Sequence, residues 1–114
     1  MRIDSYQFGE VVIDGTSYSS DCLIIGDSVK SDWWREQGHS LSAKDLEAVI
    51  AAKPSVLVVG CGASGLMQVP DQTKQVLQEH NIQLETFDTY KAVQRFNELS
   101  QAGVNVAAAL HLTC

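Results

Sequence analysis

The apolar pattern along the chain changes period near Leu41. Before it, the runs are short and broken by turns. Tyr6 and Phe8 alternate with polar neighbours, Val11 to Ile13 continues the pattern, and Asp14-Gly15 is a two-residue hairpin signal ahead of Thr16 to Ser19. Cys22 to Ile25 is a further apolar run, closed by Gly26-Asp27. The segment from Ser31 through Trp33, Trp34, Arg35, Glu36 and Gly38 to His39 has no clear period and reads as a functional or packing loop.

From Leu41 onward the spacing becomes helical in places. Ser42 can cap a helix, Asp45 supports its first turn, and Leu46, Val49 and Ile50 form one stripe through about Ala52, ended by Pro54. Ser55 to Val59 is a continuous apolar strand of the kind buried on both faces of a parallel sheet. Pro70 suits a first helical position, with Val76, Leu77 and His80 on one face of a helix ending near Asn81. Ile82 to Phe87 alternates as the next strand. Thr89 can cap a third helix carried by Ala92, Val93, Phe96 and Leu99 and stopped by Gly103, and Val104 to Leu112 is the last strand. The order is a β meander followed by α-β-α-β-α-β, which implies parallel strand pairs joined by right-handed crossovers.

One loop invites a ligand. Ser55 to Gly65 reads S-V-L-V-V-G-C-G-A-S-G, and Gly60, Gly62 and Gly65 have the G-x-G-x-x-G spacing. In a dinucleotide fold such glycines permit a tight turn and close backbone approach, and the pyrophosphate sits on a helix that starts inside the motif. Glu85 or Asp88 lies about where a ribose contact belongs. Two features oppose that reading. Pro70 biases Val69 away from helical geometry and detaches the helix from the loop. The chain then ends at Cys114, with room for two more strands but not for a second mononucleotide half or a methyltransferase sheet. A tight turn requiring positive φ is the favoured reading, although an N–H-lined turn at a strand end can also hold a small anion. No cofactor is expected.

Composition narrows the partners. The 114 residues are 45% apolar and 19% charged, as one globular domain spanning residues 1–114 would be. A net charge of −6 with eight Lys and Arg lacks the basic footprint of a nucleic-acid binder or of a protein drawn to anionic lipid. No apolar run approaches the ~20 residues of a membrane helix, and three cysteines without C-x-x-C spacing point to reduced thiols in the cytoplasm.

Several side chains remain as candidates. Adjacent Trp33 and Trp34 point to opposite faces if extended, so one packs inward while the other, with Arg35, is free to rim a cleft or meet a partner. Asn97 lies at the edge of the third helix, where it either bonds a neighbouring carbonyl or faces the glycine loop. Cys61 either fills the tight turn or is activated by loop amides. His111 and Cys114 have H-x-x-C spacing, but no second pair completes a zinc site, and no metal is expected.

Four stretches resemble the family of the adipogenesis-associated Mth domain-containing protein, which also includes a mitochondrial complex I assembly factor. They are Trp34-Arg35-Glu36 with Gly38 and His39; Leu57 to Gly62 followed by Val69-Pro70; Thr89, Ala92, Val93, Phe96, Asn97 and Leu99; and His111 to Cys114. The resemblance runs over nearly the whole chain. It implies an α/β fold, a three-layer β+α/β/α arrangement around a mixed central sheet, with no established activity or cofactor. The expectation is a non-enzymatic cytoplasmic binding or scaffold domain, its partner an unidentified protein or small ligand. Its expected cleft gathers Gly60, Cys61, Gly62, Gly65, Trp34, Arg35, Thr89 and Asn97; the alternative is a small-molecule or anion-binding enzyme centred on the glycine loop.

Overall fold

The computed structural model describes residues 1–113. Three strands, β1 (Ile3–Gln7), β2 (Glu10–Ile13) and β3 (Thr16–Tyr18), form an antiparallel meander. Asp14 and Gly15 turn β2 into β3 with positive φ of 48° and 81°, the conformation a tight two-residue hairpin needs. A second hairpin joins β4 (Cys22–Ile25) to β5 (Ser28–Lys30). Val29 is the single apolar side chain of β5, too little pattern for that strand to be read from the sequence.

After the Trp33–His39 loop, the Asp45 carboxylate accepts hydrogen bonds from the Ser42 amide and hydroxyl, both at 3.0 Å. This starts a 3-10 turn at Ala43–Leu46 that runs into α1 (Glu47–Ala52). Then follow β6 (Val56–Cys61), α2 (Asp71–Glu79), β7 (Gln83–Phe87), α3 (Thr89–Gln101) and β8 (Val106–His111). Pro70 stands one residue outside α2, at its N-cap.

The central sheet has the order β5-β4-β8-β6-β7. β6 pairs parallel with β7 and β8, while β4 runs antiparallel to β8, so the sheet is mixed as expected. Every residue of β6 and β8 is buried, because both faces of these strands are covered. Val56 and Val58 point with Phe96 and Leu110 into a core shared with Ile3, Val11 and Ile13 of the meander. Leu57, Val59 and Cys61 point the other way, among Leu41, Leu46, Val49 and Leu77. The result is the three-layer arrangement: meander and α3, sheet, then α1 and α2. No helix among the described residues is long and apolar enough to cross a membrane.

Thr89 differs from the sequence reading, and of the two readings of Asn97 the bond to a neighbouring carbonyl is the one that holds. Asp88, not Thr89, caps α3: its Oδ1 accepts from the Lys91 amide at 3.0 Å. Asn97 faces β1 and not the glycine loop. Its Oδ1 accepts from the Ile3 amide at 2.9 Å and its Nδ2 donates to the Ile3 carbonyl at 2.8 Å. The amide thus fastens the meander to α3. Asn97→Ala leaves the part-buried N–H and C=O of Ile3 without this partner and should cost roughly 1–3 kcal/mol. A lowered denaturant midpoint at unchanged m value is the expected result; an unmoved midpoint would mean water replaces the amide without loss.

Candidate functional site

The glycine loop leaves β6 where α3 crosses closest to the sheet. A Cβ on Gly60 would lie 2.9 Å from Thr89 Oγ1 and 3.2 Å from its Cα, so only glycine fits there. The buried Thr89 hydroxyl accepts from the Gly62 amide at 2.9 Å and donates to the His111 carbonyl at 2.6 Å. The Thr89 amide returns a bond to the Gly62 carbonyl at 3.0 Å. Gly62 and Gly65 have positive φ, 101° and 67°. The amides at Gly62, Ala63, Gly65 and Met67 have internal acceptors in Thr89, Thr113, Gly62 and Cys61 respectively. These four are among the groups a phosphate cradle would offer, and here they are bonded within the protein, two of them inside the loop and two to Thr89 and Thr113.

Cys61 fills a buried position on the face opposite Thr89. Burial, with the nearby Asp88 charge, pushes its thiol above the ordinary value. That is the reverse of activation by loop amides, because burial disfavours a thiolate.

A second cluster lies beside this loop. Arg35 has only 5% of its side chain exposed, and its Nη1 donates to Asp21 Oδ2 at 2.7 Å. Its Nη2 and Nε donate to the Gly38 carbonyl at 2.9 and 3.2 Å, closing the Trp33–His39 loop. The guanidinium carbon also lies 5.0 Å from the centre of the Trp33 ring. Asp21 Oδ1 accepts from the Leu112 amide, and Oδ2 lies 2.8 Å from His111 Nδ1. Burial works to raise the Asp21 carboxyl, but hydrogen bonds from His111, Leu112 and Arg35 outweigh it and hold the group below the usual carboxylate range. A carboxylate at that distance favours the tautomer with the proton on Nδ1, which leaves Nε2 buried without a partner.

The Trp33–His39 loop, the glycine loop and the start of α3 therefore meet around the end of β8. His111 pairs with Cys61, Arg35 Nη2 lies 3.1 Å from His111 Nδ1, and the Gln68 amide bonds the His39 carbonyl at 2.8 Å. Gly60, Cys61, Gly62, Gly65, Thr89, Trp34 and Arg35 belong to this end, whereas Asn97 lies eight residues along α3. Trp33 is buried and donates from Nε1 to the Asp45 carbonyl at 3.0 Å; Trp34 is 84% exposed. Trp34, Arg35, Asp21, Asp32 and His111 line a cavity of about 330 Å³. Asp21 went unread because no local pattern marks it and its partners lie far along the chain. Cys114, the second half of the H-x-x-C spacing, lies outside the described residues.

Residues 3–111 match the family described as protein of unknown function (DUF498/DUF598). The chain belongs to this family. Its fold recurs in a conserved hypothetical protein of Pyrococcus horikoshii, with a TM-score of 0.85, 24% identity and full coverage of both chains. A Bartonella henselae protein described as an outer membrane protein is similar at TM-score 0.85 and 25% identity, over 98% of this chain and 94% of that one. A Bordetella pertussis Mth938-like domain matches at TM-score 0.80 and 19% identity, over 97% and 85%. This DUF498/DUF598 chain thus shares the Mth-type fold that its sequence motifs imply.

Two outcomes follow from the site geometry. Thr89→Val removes the hydroxyl that serves two buried backbone groups and should cost at least about 2 kcal/mol, seen as a lower melting temperature; an unchanged melt would mean the loop closes without it. The Asp21 carboxyl, held below its unfolded value, contributes stability that is fully present above the ordinary carboxylate pKa. That contribution is lost as pH falls through the lowered folded value. Thermal melts from pH 7 down to about pH 2 should show this acid limb flattened in Asp21→Asn. Arg35→Ala should shift the limb to higher pH, since one of the bonds holding the carboxyl down is gone. Parallel acid limbs in all three proteins would contradict this assignment.

Proposed function

We propose that this chain is a non-enzymatic binding domain whose working face is the carboxyl end of the central sheet, and that it takes a protein segment carrying apolar and basic side chains. The observation that carries this reading is the distribution of exposed large apolar residues. Among the described residues these are Phe8, Trp34, Leu66 and Tyr90, at 60%, 84%, 50% and 49% exposure. All four belong to segments fastened to this one end. Phe8 precedes Gly9, whose amide bonds the Leu112 carbonyl at 2.9 Å. Tyr90 packs at 4.7 Å against Tyr6, whose hydroxyl bonds the same carbonyl at 2.6 Å. Leu66 directly follows the glycine loop, and Trp34 lines the cavity with His111 and Thr113.

Aromatic side chains on a rigid support are the residues that most often dominate binding energy. The charge partner is set by Asp32 beside Trp34, by Asp88 at the start of α3, and by a net charge of −6. Arg35, buried in its ion pair, holds the loop that presents Trp34. The alternative of an anion-binding enzyme rests on glycine-loop amides, and their internal acceptors lend it no support. A cytoplasmic location fits the free buried thiols Cys22 and Cys61.

Affinity capture with the tagged chain should recover a partner that Trp34→Ala and Tyr90→Ala each weaken about tenfold, Trp34→Ala without a change in melting temperature and Tyr90→Ala with the small drop expected from its lost contact with Tyr6. Rising salt should weaken it further. Equal recovery by wild type and both variants would place the working surface elsewhere.

A further inference from the structure

Sheet edges expose unpaired peptide groups, and this fold protects all of its edges but one. The outer edge of β1 is bulged between Ile3 and Ser5, and the Asn97 side chain occupies both the amide and the carbonyl of Ile3. β3 and β5 are each three residues long, and β5 ends in Lys30. Short strands, bulges and terminal lysines are the usual means of blocking an edge. β7 has no such device except one charged side chain, Glu85, whose carboxylate is held by Arg95 at 2.7 Å. It is five residues long, in unbroken register with β6, without proline, lysine or a bulge, and it is the last strand of the central sheet.

The outward groups of β7 can be assigned. The Gln83 amide turns inward to the Ser55 carbonyl at 3.0 Å. Peptide groups alternate in direction along a strand, so Leu84 and Thr86 direct their N–H and C=O away from the sheet. Beside them a groove of about 650 Å³ separates β7 from α2, floored by Ile82 and Leu84 and walled by Gln78 and Lys74. Lys74 is the one charged side chain lining that groove, and its only carboxylate neighbour among the described residues is the fully exposed Asp71, at a loose 4.0 Å.

We infer that β7 is a docking edge for an extended segment of a partner protein, added as a sixth strand to the central sheet. Main-chain bonds from Leu84 and Thr86 supply the ladder, and the groove selects the side chains, as in other strand-addition interfaces. Alternate apolar side chains of the segment rest on Ile82 and Leu84, and a carboxylate reaches Lys74. A second copy of this chain is a poorer occupant: it brings another six net negative charges, and the one carboxylate of β7, Glu85, is already held by Arg95 at 2.7 Å and is not free to reach Lys74. Lys74 and Thr86 also line a smaller cavity beside Gly65 and Asp88, so this edge adjoins the carboxyl end; its groove does not include Trp34 or Tyr90, and neither assignment depends on the other.

The test is selection of peptides from a random eight-residue display library on the purified full chain. Synthetic copies of the selected peptides are then measured against wild type, Thr86→Pro, Lys74→Glu and Trp34→Ala. Proline is tolerated on an edge strand whose N–H faces solvent, so Thr86→Pro removes one outward donor and keeps the fold, checked by thermal melting. The expected peptides alternate apolar residues with an acidic position and slow amide exchange at Leu84 and Thr86. They should lose about tenfold or more in affinity to Thr86→Pro and to Lys74→Glu and none to Trp34→Ala. The inference is overturned if no peptide is selected, or if bound peptides leave Leu84 and Thr86 unprotected. It is overturned equally if folded Thr86→Pro binds as wild type does. A wild-type dimer in sedimentation that Thr86→Pro makes monomeric would assign the edge to a second copy and overturn it too.

Discussion

The hydroxyl of Thr89 is the contact on which the carboxyl end of this molecule depends. One buried oxygen takes the Gly62 amide and gives its proton to the His111 carbonyl, so it joins the loop after β6, the first turn of α3 and the last residue of β8. A bond this short works only if α3 lies almost on the strand, and that approach excludes any side chain at Gly60. The glycine is therefore required by packing between the sheet and its own helix. Buried backbone groups left unpaired are costly, and here a single side chain satisfies two of them.

The Asp21–Arg35–His111 cluster performs the corresponding task on the opposite face. It anchors a loop with little regular structure, Trp33 to His39, to the end of β8. Ion pairs of this kind contribute little to stability against an apolar alternative but are costly to break on one side. Their effect is positional: with Trp33 buried and Arg35 locked, Trp34 is held outward on a fixed support. Rigid presentation lowers the entropy lost when such a side chain meets a partner. Both clusters converge on β8, whose neighbours β4 and β6 run in opposite directions, so its end is a natural place for separate segments to meet.

Much of the fold was legible in the residues. Asp14-Gly15, the continuous apolar run into β6, the Asp45-supported start near Ser42 and the stop at Gly103 each act locally, and local steric rules suffice to read them. The split between Trp33 and Trp34 followed from strand geometry alone. Roles set by distant partners were less legible. Thr89 has the chemistry of a cap, but Asp88 precedes it and takes that position, which frees the threonine for Gly62 and His111. For Asn97 the sequence leaves a carbonyl bond and a cleft role both open, and only the fold supplies its partner, Ile3 at the far end of the chain. Asp21 carries no local signal at all.

The sequence by itself therefore determined the helices, every strand but the short β5, their order and the family to which the chain belongs, because periodicity, turn chemistry and motif spacing are properties of neighbouring residues. Only the tertiary structure decided what the polar side chains do. A hydroxyl, an amide or a carboxylate acquires its role from whichever unpaired group the fold brings within hydrogen-bond reach, and no residue next to it in the chain announces that partner. The glycine loop is the clearest case. Its spacing is compatible with cradling an anion and with admitting a helix, and the position of Thr89 against Gly60 shows that the helix is admitted.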